Sequence, residues 1–122
     1  MSKVLIVDDD ARMLRLLKMY LDGVYEVFPI RGGREAVEFL ESQTPDVILL
    51  DYLMPGLDGV HTLELIRRIE TAKNIPVIFL TGVTEKDKMQ ECMEYNPYGY
   101  LVKPVAREEL ISMINSALGE AQ

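Results

Sequence analysis

The chain has 122 residues, close to the commonest size for one domain, and 48% of them are hydrophobic, enough to fill a single core. Its 13 Lys and Arg stand against 20 Asp and Glu, a formal charge of −7 that repels nucleic acid phosphates and anionic membrane surfaces. Direct nucleic acid binding and a membrane role are therefore not expected, and no apolar run approaches the roughly 20 residues of a bilayer span.

The start, MSKVLIV, lacks a signal-peptide cleavage pattern, so a cytoplasmic protein is expected. Cys92 is the single cysteine and cannot form an internal disulfide; with Met89 and Met93 it predicts a helix face packed on the core.

Short Val, Ile and Leu runs alternate five times with longer segments of helical period, which predicts repeated β-α units around a parallel sheet. Lys3 to Val7 is the first strand. Ala11 to Leu21 follows as a helix with Leu14, Leu17 and Leu21 on one face, ended by Gly23. Tyr25 to Ile30 reads as an outer strand, because Glu26 and Pro29 interrupt it and proline cannot donate to a ladder. Gly32 and Gly33 lead into a helix carrying Ala36, Val37 and Leu40. Val47 to Leu50 has no polar alternation, as expected of a central strand covered on both faces.

After the turn MPGLDG, Val60 to Ile69 is expected to be helical with Leu63 and Ile66 inward, before the strand Val77 to Leu80. Thr84 and Asp87 have the spacing of a capping box for a helix reaching about Tyr95. Gly99 to Val102 is the fifth strand, and Ala106 to Leu118 the last helix, stopped by Gly119. Right-handed crossovers between parallel strands place helices on both faces and gather functional groups at the strands' carboxyl ends. Residues 1–122 are expected to form one domain.

Asp8 and Asp9, Asp51 and Lys103 each directly follow one of these strands, so the topology brings them to one sheet edge. Carboxylates crowded there imply a bound cation, and Mg²⁺ fits their hard oxygen donors. Asp10 is expected to cap the first helix. Asp51, after the most hydrophobic strand and before a tight turn, is the candidate nucleophile toward phosphorus. A metal on one side and Lys103 on the other would neutralise the electrophile's oxygens, and the Thr81 hydroxyl could donate to another. His61, without a second ligand nearby, reads as a solvated helix position.

The segments VLIVDDD, ILLDYLMPGLDG, VIFLTG and YLVKP, in this order and spacing, resemble the motifs of response-regulator receiver domains of two-component signalling, in particular the chemotaxis type. The resemblance covers Lys3 to about Leu118. It implies a doubly wound, flavodoxin-like (βα)5 three-layer sandwich with sheet order 2-1-3-4-5, in which functional groups sit where the strand order reverses.

It further implies that Asp51 is phosphorylated by a sensor histidine kinase or histidine phosphotransfer protein. Mg²⁺, with Mn²⁺ as a substitute, would be held by Asp9 directly, by Asp8 mainly through water, by Asp51 and by the Leu53 backbone carbonyl. Thr81 corresponds to the switch hydroxyl, Lys103 to the phosphate-binding cation, Tyr100 to the aromatic that changes rotamer, and Pro104 to a cis bond with Lys103. Such domains are switches rather than turnover enzymes. They signal through the fourth helix, fifth strand and fifth helix to an output domain or target, in some cases as a phosphorylation-dependent homodimer.

Two departures stand out. Leu53 and Val83, two residues past Asp51 and Thr81, are both apolar and cannot orient an attacking water, which predicts a long-lived phosphorylated form. Tyr95 to Gly99 reads YNPYG where many such domains carry a small Gly-Ala pair, so Pro97 stiffens that connection. Two other classes remain open at this point. A Mg²⁺-dependent aspartyl-phosphate phosphatase usually places its nucleophile after the first strand and carries a cap, whereas a pseudo-receiver would only bind proteins.

Overall fold

The computed structural model describes residues 1–120, and for Glu120 its backbone alone. Five strands and five helices alternate: β1 (Lys3–Val7), α1 (Ala11–Leu21), β2 (Glu26–Ile30), α2 (Gly33–Leu40), β3 (Val47–Leu50), α3 (Gly59–Ile66), β4 (Val77–Thr81), α4 (Lys86–Met93), β5 (Gly99–Val102) and α5 (Arg107–Glu120). The strands form one parallel sheet in the order β2-β1-β3-β4-β5, as expected.

Because side chains alternate across a strand, the sheet feeds two cores. Leu5, Val7, Ile48, Leu50, Val77 and Phe79 face α2, α3 and α4, where Ala36, Leu63 and Cys92 meet them. Val4, Ile6, Val47, Leu49, Ile78 and Leu80 face the leucines of α1 and Leu110 and Ile114 of α5. β1, β3 and β4 are covered on both sides, which is why their sequences run apolar without alternation. Pro29 lies on edge strand β2, where its missing N–H costs nothing.

Several boundaries differ from the sequence expectation. Tyr25 is buried but precedes β2: its N–H bonds the Leu21 carbonyl, closing the turn after α1, and its hydroxyl pairs with Asn115 of α5. Gly23 supplies the left-handed residue of that turn, with φ of 81°. α3 ends at Ile66, because beyond it the chain tightens into three-residue bonds, Arg68 N–H to Leu65 and Ile69 N–H to Ile66.

The Thr84–Asp87 box does not form. α4 begins one residue later with Glu85 as its N-cap, and that side chain makes no capping bond. Met93 is exposed, leaving Cys92 as the buried residue of α4. Gly119 does not stop α5, which runs through Glu120; glycine weakens a helix by about 1 kcal/mol without forbidding it. Among the described residues no helix is long and apolar enough to cross a membrane.

Candidate functional site

The register brings the polar residues together. Val7 pairs with Leu50, so Asp8 and Asp51 emerge side by side; Asp8 N–H bonds the Ile30 carbonyl and Asp51 N–H the Val7 carbonyl. Thr81 pairs with Val102, and Lys103 N–H bonds the Thr81 carbonyl, which places the Lys103 stem at the same edge. The adjoining Lys103–Pro104 peptide is cis.

The three neighbouring aspartates of the first turn divide their tasks. Asp8 is buried, and its Oδ1 accepts the Asp10 N–H at 2.9 Å. Asp10 caps α1, its Oδ1 accepting Arg12 N–H at 2.9 Å and Met13 N–H at 3.4 Å; the Arg12 amide holds its carboxyl below the usual range. Asp9, half-buried, joins Asp8 and Asp51 in a cluster whose carboxylate oxygens lie within 4.8 Å of one another.

Lys103 Nζ donates to Asp8 Oδ2 at 2.6 Å and to Asp51 Oδ2 at 3.2 Å. Burial is the largest influence on both partners of the shorter contact. It drives the Asp8 carboxyl above its ordinary value, an effect that Lys103 only partly offsets and the Asp51 charge reinforces. It also pulls the Lys103 ammonium down, but the two carboxylates together outweigh it and hold that group above its ordinary value. Three carboxylates facing one ammonium leave net negative charge in a half-dry crevice, and an oxygen-only donor set of this kind fits a hard divalent cation such as Mg²⁺. Among the described residues no hydrogen bond reaches the Leu53 carbonyl, expected as a further ligand.

Thr81 is buried at the end of β4, its Oγ1 accepting Val83 N–H at 3.4 Å. Tyr100 stands half-buried, its ring centroid 6.0 Å from that of Phe79 and its hydroxyl donating to the Val83 carbonyl at 2.7 Å; burial pushes the phenol up to about 12. The two apolar departures sit differently. Leu53 is 58% exposed at the mouth, whereas Val83 is 4% exposed. His61 is exposed on α3, as expected, with Nδ1 at 2.8 Å from the N-cap Asp58.

Two features escaped the sequence. Gly59 lets α3 press on the backbone of Asp51: a Cβ there would meet the Asp51 carbonyl oxygen at 2.2 Å and Tyr52 Cα at 2.8 Å. The only hint was its place in the MPGLDG turn. Tyr52 donates its hydroxyl to Glu91 Oε1 of α4 at 2.8 Å, the main reason that its phenol is pushed up to about 12. No spacing rule marks that contact.

Residues 4–115 match the family model described as "Response regulator receiver domain". The chain belongs to this family. This receiver domain is 36% identical over 121 residues to the transcriptional regulatory protein ResD of Bacillus subtilis, covering 98% of the chain and 49% of that protein. It is 34% identical over 122 residues to the transcriptional regulatory protein SrrA of Staphylococcus aureus, covering 99% and 49%. It thus spans about half the length of the curated relatives it matches.

Among solved structures, the chemotaxis protein CheY4 of Vibrio cholerae superposes with a TM-score of 0.90 at 34% identity, over 97% of this chain and 99% of that one. The receiver domain of the sensor histidine kinase PA1611 of Pseudomonas aeruginosa, solved with a magnesium ion in its active site cleft, gives 0.90 at 29% identity over 97% and 98%.

Proposed function

We propose that this receiver domain accepts a phosphoryl group on Asp51 from a phosphohistidine and passes the change to an output surface. The observation that carries the reading is the convergence of Asp8, Asp9 and Asp51 within 4.8 Å, with Lys103 bridging Asp8 and Asp51. In the transfer, an Asp51 carboxylate oxygen forms the O–P bond while the P–N bond to the donor imidazole breaks. The imidazole leaves with that electron pair and takes a proton from solvent.

Asp8, Asp9, Asp51 and the Leu53 carbonyl would hold Mg²⁺, or Mn²⁺ in its place, which when bound neutralises phosphoryl oxygens. Lys103 neutralises another of those oxygens as Asp51 gives up its own negative charge. The Thr81 hydroxyl donates to a third, and its inward movement alters the packing of Val83 and Tyr100, which share a hydrogen bond. Tyr100 thereby changes the surface formed by α4, β5 and α5.

The donor is a sensor histidine kinase or a histidine phosphotransfer protein. The surface of α4, β5 and α5 addresses an output domain or target protein, or a second copy of the chain once phosphorylated. Relatives of twice the length that are transcriptional regulatory proteins support an attached output. Residues 1–122 act as one phosphoacceptor unit in the cytoplasm, as a switch rather than a turnover enzyme.

Intact mass after treatment with Mg²⁺ and acetyl phosphate tests this. One phosphoryl group per chain in wild type, and none in Asp51→Asn, is the expected result. Continuous phosphate release from many small esters would instead indicate a phosphatase, and a chain that neither gains phosphate nor binds Mg²⁺ would be a protein-binding module.

A further inference from the structure

Tyr52, next in the chain after the phosphoacceptor, is fixed at three points. Its N–H donates to Asp51 Oδ1 at 2.8 Å, its carbonyl accepts from Gly59 N–H at 2.8 Å, and its hydroxyl donates to Glu91 Oε1 at 2.8 Å. The ring between these contacts is buried among Val60, Leu63 and other members of the core beneath α3 and α4, so it cannot swing without disturbing close packing.

Glu91 belongs to the least anchored of the helices. α4 buries Cys92 alone and its N-cap makes no side-chain bond, whereas α1 buries three leucines under an Asp10 cap and α3 buries five residues under an Asp58 cap. A helix with so little buried surface opens at low free energy and owes more of its position to individual hydrogen bonds. Apart from Tyr52–Glu91, the turn just past its end is tied by the longer contact of 3.4 Å from the Tyr95 hydroxyl to Glu64.

We propose that Tyr52 is a positioning residue that couples the Asp51 carboxylate to helix α4 through the hydrogen bond between its phenol and Glu91. The proposal deepens the switch reading and rests on it for its place in signalling. It adds a second route to α4 beside that through Thr81 and Tyr100. Esterification of Asp51 by phosphate turns an anionic acceptor into a neutral one, which weakens the hold on the Tyr52 N–H and frees the peptide that carries the ring. The coupling is reciprocal, so a partner that pulls Glu91 away from Tyr52 changes the setting of Asp51 in turn.

Hydrogen–deuterium exchange at the α4 amides from Met89 to Met93, measured on the full chain without phosphodonor, tests the coupling. The variants are Tyr52→Phe, which keeps the ring, Asp51→Ala, which removes the acceptor without requiring phosphate, and the pair together. Asp51→Ala should speed α4 exchange roughly fivefold in the wild-type background and leave it unchanged when Tyr52→Phe is already present. Glu91→Ala, a change on the helix surface, should reproduce Tyr52→Phe, and Glu91→Gln, which keeps an acceptor, should behave as wild type.

Equal acceleration by Asp51→Ala in both backgrounds, or α4 exchange unaffected by Tyr52→Phe, would overturn the proposal. Equal effects of Glu91→Gln and Glu91→Ala would do the same. Acetyl phosphate with Mg²⁺ forms a separate arm read by mass. Failure to gain phosphate there would sink the switch reading, while the Asp51→Ala comparison would still decide the coupling.

Discussion

Lys103 and Asp8, 95 positions apart in the chain, meet at 2.6 Å across the carboxyl edge of the sheet. Their shifts carry opposite signs for stability. Burial raises the Asp8 carboxyl, so its contribution is present at low pH and is lost as pH rises through the folded value; the charged form of Asp8 costs stability despite its partner. Lys103 is raised too, and for an ammonium that means the charged form stabilises the fold.

Asp8→Asn should therefore raise the urea midpoint of the metal-free chain at pH 7, while weakening Mg²⁺ binding. Lys103→Met should lower stability by about 2 kcal/mol, since it leaves neighbouring carboxylates facing each other without a cation. Urea melts with and without Mg²⁺ check both signs. Destabilisation by Asp8→Asn in the absence of metal would contradict this electrostatic balance.

Leu53 and Val83 make unequal probes of phosphate lifetime. Leu53, 58% exposed, borders the place where water must approach, so Leu53→Asn should shorten the lifetime of the phosphorylated form several-fold with stability changed by under about 0.5 kcal/mol. Val83 is buried with its carbonyl accepting from Tyr100, so Val83→Glu would force a charge into the core and disturb the fold as well as the chemistry. Timed phosphate loss from purified phosphoprotein provides the measurement. An unchanged rate in Leu53→Asn would refute a role for this side chain in shielding the phosphoryl group.

Gly59→Ala should be costly at a position that looks unremarkable. The added Cβ would lie 2.2 Å from the Asp51 carbonyl oxygen, so α3 or the end of β3 must shift. The expected loss is about 2–3 kcal/mol in urea unfolding, with slower phosphorylation by acetyl phosphate in the fraction that remains folded. Stability and rate both equal to wild type would show that α3 does not bear on Asp51.

His61 should titrate above its ordinary value of 6.5, because the Asp58 carboxylate accepts from its ring and favours the charged form. The folded value being the higher one, this small stabilisation is complete below the unfolded value and vanishes as pH rises through the folded value. Asp58→Asn preserves an effective N-cap but removes the charge, and should move the imidazole titration seen by NMR downward. An identical titration in the variant would mean that the 2.8 Å contact is not populated in solution.

The layout of the fold was legible because burial on both faces writes itself into β1, β3 and β4 as unbroken apolar runs, while Pro29 betrays the edge. The gathering of Asp8, Asp9, Asp51 and Lys103 followed from topology, since each directly follows a parallel strand. Termini of helices were less legible. Gly119 lowers helix preference without requiring a left-handed turn, and Thr84 has capping chemistry but lies one residue too early. Least legible were contacts that depend on how layers pack. Tyr52 and Glu91 are 39 positions apart, and Gly59 matters through the space its missing Cβ leaves for Asp51.

The central claim is that Asp51 and no other carboxylate becomes an acyl phosphate. Borohydride reduces aspartyl phosphate to homoserine, so trapping after Mg²⁺ and acetyl phosphate treatment, followed by peptide sequencing by mass spectrometry, locates the modified residue. Homoserine in place of Asp51 alone, absent when Mg²⁺ is chelated, is the predicted result; reduction at Asp8 or Asp9 instead, or at no position in a folded chain, would contradict it.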